Sequence, residues 1–286
     1  MKKIIMALLA ALFCFASVPF FLNSASAAGD GPIIVAFGDS LTAAGVFVNT
    51  LRNEYGLNII NAGVGGNNTN DARARFNRDV LSNNPDVVLI GFGMNDSARD
   101  MAKYVDIESF RNNLRYFCTT LKDKGIKVVL FTSNYIEENK YYTRHDRKAF
   151  EPYGGAAAFV DTYYQAVRDV AKEQSVYLAD VRALCDGFSN RILIVTDGVH
   201  CTELGYSLYS SAIGEEIKKI FLGDANLDGS VTAADYYIIK RNFLGTYEIP
   251  LVKKRYADVN GDGQINASDY IKVKRHFLGT YDLNEK

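Results

Sequence analysis

The sequence has no tryptophan and almost no net charge among its 286 residues. A formal net charge of −1 argues against a nucleic-acid binder and against a protein held to membranes by a polybasic surface. Without tryptophan, any aromatic platform for a ligand has to be built from tyrosine. After the N-terminal apolar run at residues 4–22, no segment is apolar enough to cross a bilayer.

Histidine and cysteine are scarce as well. The histidines that could act as a general base near neutral pH are His145, His200 and His276. One of the four cysteines, Cys14, lies in the N-terminal apolar run. The others are Cys118, Cys185 and Cys201. This odd number does not suit a disulfide framework, although one bridge with a spare thiol remains open.

Residues 1–27 have the organisation of a secretory signal peptide. Two lysines precede the apolar run, and Ala25-Ser26-Ala27 fits the small-residue cleavage site, so we expect a secreted chain that begins at Ala28. One alternative is an uncleaved membrane anchor, since the run could nearly span a bilayer. Another is a lipoprotein modified at Cys14, although the preceding Phe13 is too large for the usual lipobox.

Strand-like and helical segments alternate between residues 32 and 222. Short β-branched runs predict buried strands of a parallel sheet at residues 33–37, 58–61, 87–92, 127–132 and 176–179. Amphipathic segments predict helices at residues 71–81, 107–122, 156–172 and 203–221. Strands separated by helices imply crossover connections, and therefore an α/β fold whose sheet is covered on both faces.

The first predicted strand is followed directly by Gly38-Asp39-Ser40-Leu41. A sharp turn after a buried strand places Ser40 at the C-terminal edge of the sheet, where open α/β folds bind their ligands. Ser40 is therefore a candidate nucleophile. The alternative is that Ser40 caps the following helix and has only a structural role.

Three further motifs follow, each at a predicted strand end or in a late loop. They are Gly63-Val64-Gly65-Gly66-Asn67, Gly93-Met94-Asn95-Asp96 and Asp197-Gly198-Val199-His200. With the first motif, and in this order, they resemble the four signature blocks of the SGNH (GDSL) hydrolases over about residues 32–220. The resemblance implies a flavodoxin-like three-layer α/β/α sandwich, and we expect the hydrolase domain to span residues 28–222.

Ser40 Oγ needs a base before it becomes an effective nucleophile. Asp197 lies three residues before His200, close enough in a tight turn to accept the imidazole Nδ1–H. We expect His200 to be the base, and later the acid for the leaving alcohol, with Asp197 orienting it and no cofactor required. A thiol reaction at Cys201 and a structural role for His200 are the alternatives.

The resemblance also implies three hydrogen-bond donors for the negative tetrahedral intermediate. They are the backbone N–H groups of Ser40 and Gly66 and the side-chain amide of Asn95. Gly66 is preferred to Gly63 and Gly65 because the donor glycine of the family usually precedes Asp or Asn and then Thr. Here the segment reads Gly66-Asn67-Asn68-Thr69, with one extra Asn, and a turn that needs positive φ is the alternative explanation of the glycines.

Residues 133–155 are longer than a usual connection between a strand and a helix. This segment leaves the same edge of the sheet as the motifs, and loops there often carry substrate contacts. Its aromatic and basic residues are Tyr135, Tyr141, Tyr142, Arg144, His145 and Tyr153. The alternatives are a substrate-contacting loop and a solvated, partly ordered insertion, with no catalytic residue expected in either.

The C-terminal part contains a duplicated acidic loop. The copies begin at Asp224 and Asp258, 34 positions apart, and each is followed by a helix-like segment with nearly repeated sequence. Oxygen ligands at loop positions 1, 3, 5, 7 and 12, with glycine at 6, form the calcium loop of an EF-hand. We expect two Ca²⁺ ions, bound by Asp224, Asn226, Asp228, Ser230 and Asp235 and by Asp258, Asn260, Asp262, Gln264 and Asp269.

This duplicated unit resembles a type I dockerin, the module that attaches enzymes to a cohesin on a cellulosome scaffold. The resemblance implies a small all-α domain at residues 223–286 that calcium helps to fold, with no helix before either loop. It implies a cohesin-binding surface at Ala233, Ala234, Lys240, Arg241, Ala267, Ser268, Lys274 and Arg275. We expect the two domains to be independent, so that calcium removal ends cohesin binding and leaves catalysis largely intact.

We therefore expect a secreted, cellulosome-attached serine esterase. Its expected substrate is an acyl ester, with acetyl the leading candidate, on plant cell-wall polysaccharide such as xylan or pectin. A lipase, thioesterase or feruloyl esterase could use the same residues, although the chain has no long apolar lid segment. A non-catalytic binding module carried by the dockerin is the other alternative. Neither nucleic acid nor, after signal cleavage, a membrane is an expected partner.

Overall fold

The structure is a computed structural model, and it describes residues 31–188 and 193–284. The expected signal peptide, residues 1–27, lies outside these ranges and stays a prediction. Among the residues described, no helix has the length and apolar character needed to span a membrane.

The short apolar runs form one parallel sheet. Its strands are β1 (Ile33–Gly38), β2 (Asn58–Gly63), β3 (Val87–Gly91), β4 (Lys127–Phe131) and β5 (Tyr177–Ala179). They lie in the order β2-β1-β3-β4-β5, and every pair of neighbours is parallel. This is the flavodoxin-like order, in which the ligand site lies between β1 and β3 at their carboxyl ends. All five strands were predicted from the sequence.

Helices connect the strands and continue into the C-terminal part. The α-helices of the described residues are α1 (Ser40–Ala43), α2 (Val46–Tyr55), α3 (Thr69–Asp79), α4 (Ile107–Lys122), α5 (Glu138–Tyr141), α6 (Ala156–Gln174), α7 (Val181–Asp186), α8 (Glu203–Ile220), α9 (Ala233–Phe243), α10 (Leu251–Ala257) and α11 (Ala267–Phe277). Short 3₁₀ turns occur at Leu81–Asn83, Arg147–Ala149 and Glu151–Tyr153.

Both faces of the sheet are covered, as aromatic contacts show. On one face, Phe37 of β1 packs against Phe76 of α3 and Phe117 of α4. On the other face, Phe47 of α2 packs against Phe131 of β4 and Tyr209 of α8. The expected three-layer α/β/α sandwich is therefore confirmed.

Helix α2 was not predicted from the sequence, although it supplies part of one layer. It buries Phe47, Val48 and Leu51. Its N-cap is Gly45, with φ 75°, and no side chain caps the helix there. Sequence signals for a helix start rest on Ser, Thr, Asp or Asn at the cap, and Gly45 provides none of them.

The C-terminal part is helical, as expected, and has a small core of its own that includes Ile239, Ile249 and Val273. One expectation was wrong, because helices do precede both loops. Helix α10 ends directly before Asp258, and α8 ends at Ile220, shortly before Asp224. Helix α10 packs against α2, and this contact between distant parts of the chain leaves no local signal in the sequence.

Three glycines lie side by side at the carboxyl ends of β2, β1 and β3. Gly38 is in register with Gly63 on one side and with Gly91 on the other. A Cβ at Gly63 would overlap the backbone of Ala43 in α1, and one at Gly38 would overlap the Thr42 side chain. The bare strand ends thus let α1, which begins at Ser40, lie directly on the sheet edge.

We expect Gly63→Ala to destabilise the protein by about 1–3 kcal/mol, because the new methyl group meets backbone that cannot move aside easily. Urea unfolding measures the effect. Gly187→Ala is the matched control, since Gly187 has φ −67° and the nearest atom to its Cβ position lies at 3.4 Å. An equal loss of stability in both variants would contradict the role of the bare strand ends.

Candidate active site

Ser40 is the first residue of α1, directly after the end of β1. The N-cap of this helix is Asp39, whose Oδ1 accepts the backbone N–H of Leu41 at 2.9 Å. Asp39 thus has the capping role that was the alternative for Ser40, and the Ser40 hydroxyl is free to contact other groups. Burial raises the pKa of Asp39 to about 7.

Ser40, His200 and Asp197 form a hydrogen-bonded line. His200 Nε2 lies 2.9 Å from Ser40 Oγ, and His200 Nδ1 lies 2.9 Å from Asp197 Oδ2. The other Asp197 oxygen accepts the backbone N–H groups of Val199 at 3.0 Å and His200 at 2.8 Å. Partial burial acts to raise the pKa of Asp197. Hydrogen bonds from the His200 ring and from these backbone groups outweigh burial and hold this pKa well below its usual range.

The three expected oxyanion donors border one open cavity of about 250 Å³, which is also lined by His200. Gly66 has φ 78°, and no atom lies within 4 Å of its Cβ position, so a side chain there would extend into open space. Asn95 Nδ2 lies 3.0 Å from the carbonyl oxygen of Asn67 and 3.4 Å from Asp39 Oδ2. The structure therefore brings Ser40, Gly66 and Asn95 to the same cavity as the Ser40–His200 pair.

Two buried charged residues hold the motif loops in place. Arg75 of α3 donates to the carbonyl oxygens of Gly38 at 2.9 Å and Ala62 at 2.7 Å, and so ties together the ends of β1 and β2. Asp96 accepts the backbone N–H of Thr69 at 2.8 Å, which fixes the start of α3. Burial raises the pKa of Asp96 to about 6.

The 133–155 segment is ordered and contributes to the cavity. Its Tyr141, Arg144 and His145 are among the lining residues. Tyr141 is buried and stacks on His145, with ring centroids 3.8 Å apart, and His145 Nδ1 lies 2.7 Å from Asp100 Oδ1. Of the two expectations for this segment, the structure favours a wall of the site over a solvated insertion.

Arg144 of the same segment contacts Asp197 directly. Its Nη1 lies 3.3 Å from Asp197 Oδ2, and its Nη2 donates to the Asp197 carbonyl oxygen at 3.0 Å. The remaining tyrosines of the segment, Tyr135, Tyr142 and Tyr153, are not among the lining residues.

Lys103 is a residue of the cavity that the sequence analysis missed. Its Nζ donates to Asn95 Oδ1 at 2.7 Å. This contact fixes which end of the Asn95 amide carries the oxygen, so that Nδ2 points the other way. Lys103 belongs to none of the four motifs, and no sequence signal connects it with Asn95. Burial lowers the pKa of Lys103.

Cys201 does not have the setting of a reactive thiol. It is 8% exposed, and burial raises the pKa of its thiol far above the usual value. Reactive cysteines need the opposite shift, because the thiolate is the nucleophile. The structure thus gives no support to the thiol alternative.

The two acidic loops of the C-terminal part repeat the same hydrogen bonds. In the first, Asp224 accepts the N–H groups of Asp228 at 3.1 Å and Gly229 at 2.8 Å. In the second, Asp258 accepts those of Asp262 at 3.2 Å and Gly263 at 2.9 Å. The acids at loop position 12, Asp235 and Asp269, each reach back to the backbone N–H of loop position 3, at Asn226 and Asn260.

The donor set of the first loop fits calcium. Asp224 and Asp235 are 1% and 0% exposed, yet neither forms a salt bridge among the described residues. Burial, together with the nearby carboxylates of Asp235 and Asp228, raises the pKa of Asp224 to about 7. Buried carboxylates of this kind are stabilised by a cation, and hard oxygen donors suit Ca²⁺.

No group of three or more His, Cys, Asp and Glu side chains within residues 31–188 and 193–284 is arranged as a metal site. Each expected calcium site combines three aspartates with an asparagine and a main-chain oxygen. These are Asn226 and the Ser230 carbonyl in the first loop, and Asn260 and the Gln264 carbonyl in the second.

The residues expected to contact a cohesin lie on two corresponding helices. Ala233, Ala234, Lys240 and Arg241 belong to α9, and Ala267, Ser268, Lys274 and Arg275 belong to α11. The two helices pack against each other, and each starts with a capping box whose acid is the loop position 12 residue. Among these residues Ala233, Ala234, Ser268, Lys274 and Arg275 are exposed.

A serine, a histidine and an aspartate in hydrogen-bonded line beside amide donors are the arrangement of serine hydrolases. Residues 36–208 match the GDSL-like Lipase/Acylhydrolase family, and the chain therefore belongs to this family. Residues 222–278 match the Dockerin type I domain. Both resemblances seen in the sequence are thus confirmed.

Two curated proteins are similar to the hydrolase part. The uncharacterized lipoprotein YqeF of Bacillus subtilis is 40% identical over 168 residues, which cover 51% of this chain and 69% of that protein. An acetylxylan esterase of Geobacillus stearothermophilus is 26% identical over 173 residues, which cover 57% of this chain and 74% of that protein.

Solved structures give the same fold. A lipase/acylhydrolase from Enterococcus faecalis has a TM-score of 0.57 and 25% identity, covering 65% of this chain and 95% of its own. Axe2, an acetylxylan esterase from Geobacillus stearothermophilus, has a TM-score of 0.55 and 24% identity, covering 66% of this chain and 95% of its own. The latter likeness shows the fold alone.

Proposed function

We propose that the protein is a secreted serine esterase that removes acetyl groups from plant cell-wall polysaccharide while attached to a cellulosome scaffold. The observation that carries the catalytic part is the line from Ser40 Oγ through His200 to Asp197 at the edge of an open cavity. Membership of a lipase/acylhydrolase family supports ester hydrolysis.

The proposed reaction begins when Ser40 Oγ attacks the ester carbonyl carbon and His200 Nε2 takes the hydroxyl proton. Asp197 holds the His200 ring and stabilises its positive charge. The intermediate collapses as the C–O bond to the sugar breaks, and His200 gives its proton to the leaving oxygen. Water then attacks the acyl-enzyme with His200 as the base, which releases the acid and restores Ser40.

The negative charge of each tetrahedral intermediate falls on the former carbonyl oxygen. The Ser40 N–H lies in the first turn of α1, where backbone donors have no acceptor within the helix. Together with the Gly66 N–H and the Asn95 amide, it forms the proposed oxyanion hole. The backbone donors are held in place before the reaction and stabilise the transition state without reorganisation. The Asn95 amide must first release the Asn67 carbonyl oxygen or Asp39 Oδ2, which its Nδ2 contacts in the free protein.

The size of the cavity favours a short acyl group. Its volume of about 250 Å³ is below the range of about 300–1,000 Å³ typical of pockets for larger ligands. An acetyl group fills only a small part of this space, whereas a feruloyl group or a long acyl chain fills a much larger part of it. The similarity to an acetylxylan esterase supports the same substrate class.

The dockerin supports the proposed location and partner. We propose that this dockerin binds a cohesin of a scaffold protein, an attachment that would keep the enzyme outside the cell beside its polysaccharide substrate. We propose that both acidic loops bind Ca²⁺, with the ligands named above, and that the ions supply part of the folding free energy of this small domain. Calcium has no part in the proposed ester chemistry.

Acetate release from acetylated xylan and acetylated pectin tests the proposal. The wild-type protein should release acetate from at least one polymer, and Ser40→Ala should release none because it lacks the nucleophile. Ser207→Ala, which changes an exposed serine of α8, is the matched control and should behave as wild type. Hydrolysis that survives Ser40→Ala would contradict the mechanism, whereas cleavage of small activated esters but neither polymer would contradict the substrate.

We also propose that Lys103 is a positioning residue for Asn95. A charge-assisted hydrogen bond is stronger than a neutral one, and the 2.7 Å contact from Nζ to Asn95 Oδ1 is of this kind. It orients the amide, and by drawing electron density towards Oδ1 it makes the Nδ2–H groups better donors. Lys103 thus acts on the oxyanion through Asn95.

Lys103→Met should lower kcat by up to about 100-fold, the size of effect that misplacement of a catalytic group produces, with little change in KM. Since burial lowers the pKa of Lys103, wild-type kcat should also fall in the alkaline range as the ammonium loses its proton. Lys103→Arg should keep most activity and move this fall to higher pH. Equal kcat and pH profiles in all three proteins would refute the assignment.

A further inference from the structure

Two side chains of the dockerin complete a helix of the hydrolase domain. Helix α2 ends at Tyr55, and the last carbonyl groups of a helix have no partner within it. Arg255 Nη2 donates to the Glu54 carbonyl oxygen at 3.0 Å, and Tyr256 Oη donates to the Tyr55 carbonyl oxygen at 3.1 Å. The Arg255 guanidinium also lies 3.6 Å from the centroid of the Tyr55 ring.

The contact continues into the core of the hydrolase domain. Tyr256 and Leu227 are 0% and 4% exposed, and both belong to the large apolar cluster built around the central sheet. The Leu227 carbonyl oxygen closely approaches Gly31, at a distance that leaves no room for a Cβ there. The dockerin is therefore packed on the hydrolase domain by apolar and polar contacts together.

The first calcium loop takes part in this contact through Leu227, whereas the side-chain hydrogen bonds described for the second loop all lie within that loop. Leu227 is loop position 4, between the expected ligands Asn226 and Asp228, and it has a left-handed φ of 55°. The same position in the second loop is Gly261, which is exposed and has φ 71°. Glycine adopts this conformation freely and leucine does so at a cost, which the burial of the Leu227 side chain against the hydrolase domain offsets.

Lys253 links the same loop to α10. Its Nζ donates to the carbonyl oxygen of Asn226, next to Leu227. Arg255 and Tyr256, which cap α2, follow two and three residues further along α10. The first loop, α10 and the end of α2 thus form one continuous set of contacts.

We infer that the first calcium loop is a structural element of both domains, so that the ion bound there stabilises the hydrolase domain, whereas the ion in the second loop stabilises only the dockerin. A metal bound by Asp224, Asn226 and Asp228 holds Leu227 in its left-handed conformation and keeps its side chain in the interface. This coupling differs from the expectation of two independent domains, in which calcium removal leaves catalysis largely intact. The inference rests on the calcium binding proposed above.

Linkage makes the coupling measurable from the calcium side. Calcium binding at the first loop and docking on the hydrolase domain are linked equilibria. The factor by which docking strengthens calcium binding is therefore the factor by which calcium affinity falls when docking is lost. The second loop should not respond. The two sites, although nearly identical in ligands, should therefore differ in their dependence on Leu227.

Isothermal titration calorimetry of the full-length mature protein with calcium chloride tests the coupling between docking and the first calcium site. Wild type should bind two ions, and Leu227→Gly should weaken one of them by about fivefold or more, within the usual range of coupling between sites. Asp228→Ala and Asp262→Ala, which change loop position 5 in the first and second loop, should identify the weakened site as the first. Leu278→Gly is the matched control, because Leu278 is 58% exposed and lies at the end of α11, away from the first loop and α10.

Hydrogen exchange at residues 51–56, measured in saturating calcium, gives a second readout that does not depend on activity. Leu227→Gly should speed exchange at the end of α2 while leaving Val273 and its neighbours in the dockerin core protected. Unchanged calcium binding and unchanged exchange in Leu227→Gly would overturn the inference, as would equal weakening of both sites. No calcium uptake by wild type would instead refute the calcium proposal itself.

Discussion

The bare carboxyl ends of three neighbouring strands are the constraint on which the rest of the site depends. Because Gly38 and Gly63 carry no side chain, the short helix that starts at Ser40 lies against the sheet edge, and the bare Gly91 leaves room for the Phe131 ring. Arg75 then uses the carbonyl groups at the ends of β1 and β2 as acceptors, which holds the nucleophile turn and the Gly66 loop in a fixed relation. This arrangement fixes the Ser40 side of the Ser40–His200 contact, and Asp197 holds the His200 side.

Much of this could be predicted from the sequence, because the chemistry is carried by local motifs. The positions of the five strands, of Ser40, Asp197 and His200, and of the acidic loops follow from short segments with strong patterns, and the flavodoxin-like sandwich was expected from the family resemblance of the motifs. The features that were missed lie outside any recognisable sequence pattern. Lys103 touches Asn95 through a turn that has no motif, and helix α2 starts at a glycine without a capping side chain.

A contact between distant parts of the chain explains the one expectation about the dockerin that was wrong. Helix α10 forms where it packs on α2, and its residues Arg255 and Tyr256 reach the carbonyl groups of Glu54 and Tyr55, which are 201 residues away in the sequence. Such pairings cannot be read from periodicity. Leu227 is a partial exception, since a leucine at the loop position where the second copy has Gly261 is a visible departure from the repeat.

Covalent labelling with a fluorophosphonate, followed by peptide mass spectrometry, tests the central claim most directly, because the reagent reacts with a serine that a neighbouring base has activated. The account predicts a single phosphonate on the peptide that contains Ser40, and its near absence in a His200→Gln variant that remains folded. Labelling at another residue, or labelling of Ser40 that does not depend on His200, would contradict the account.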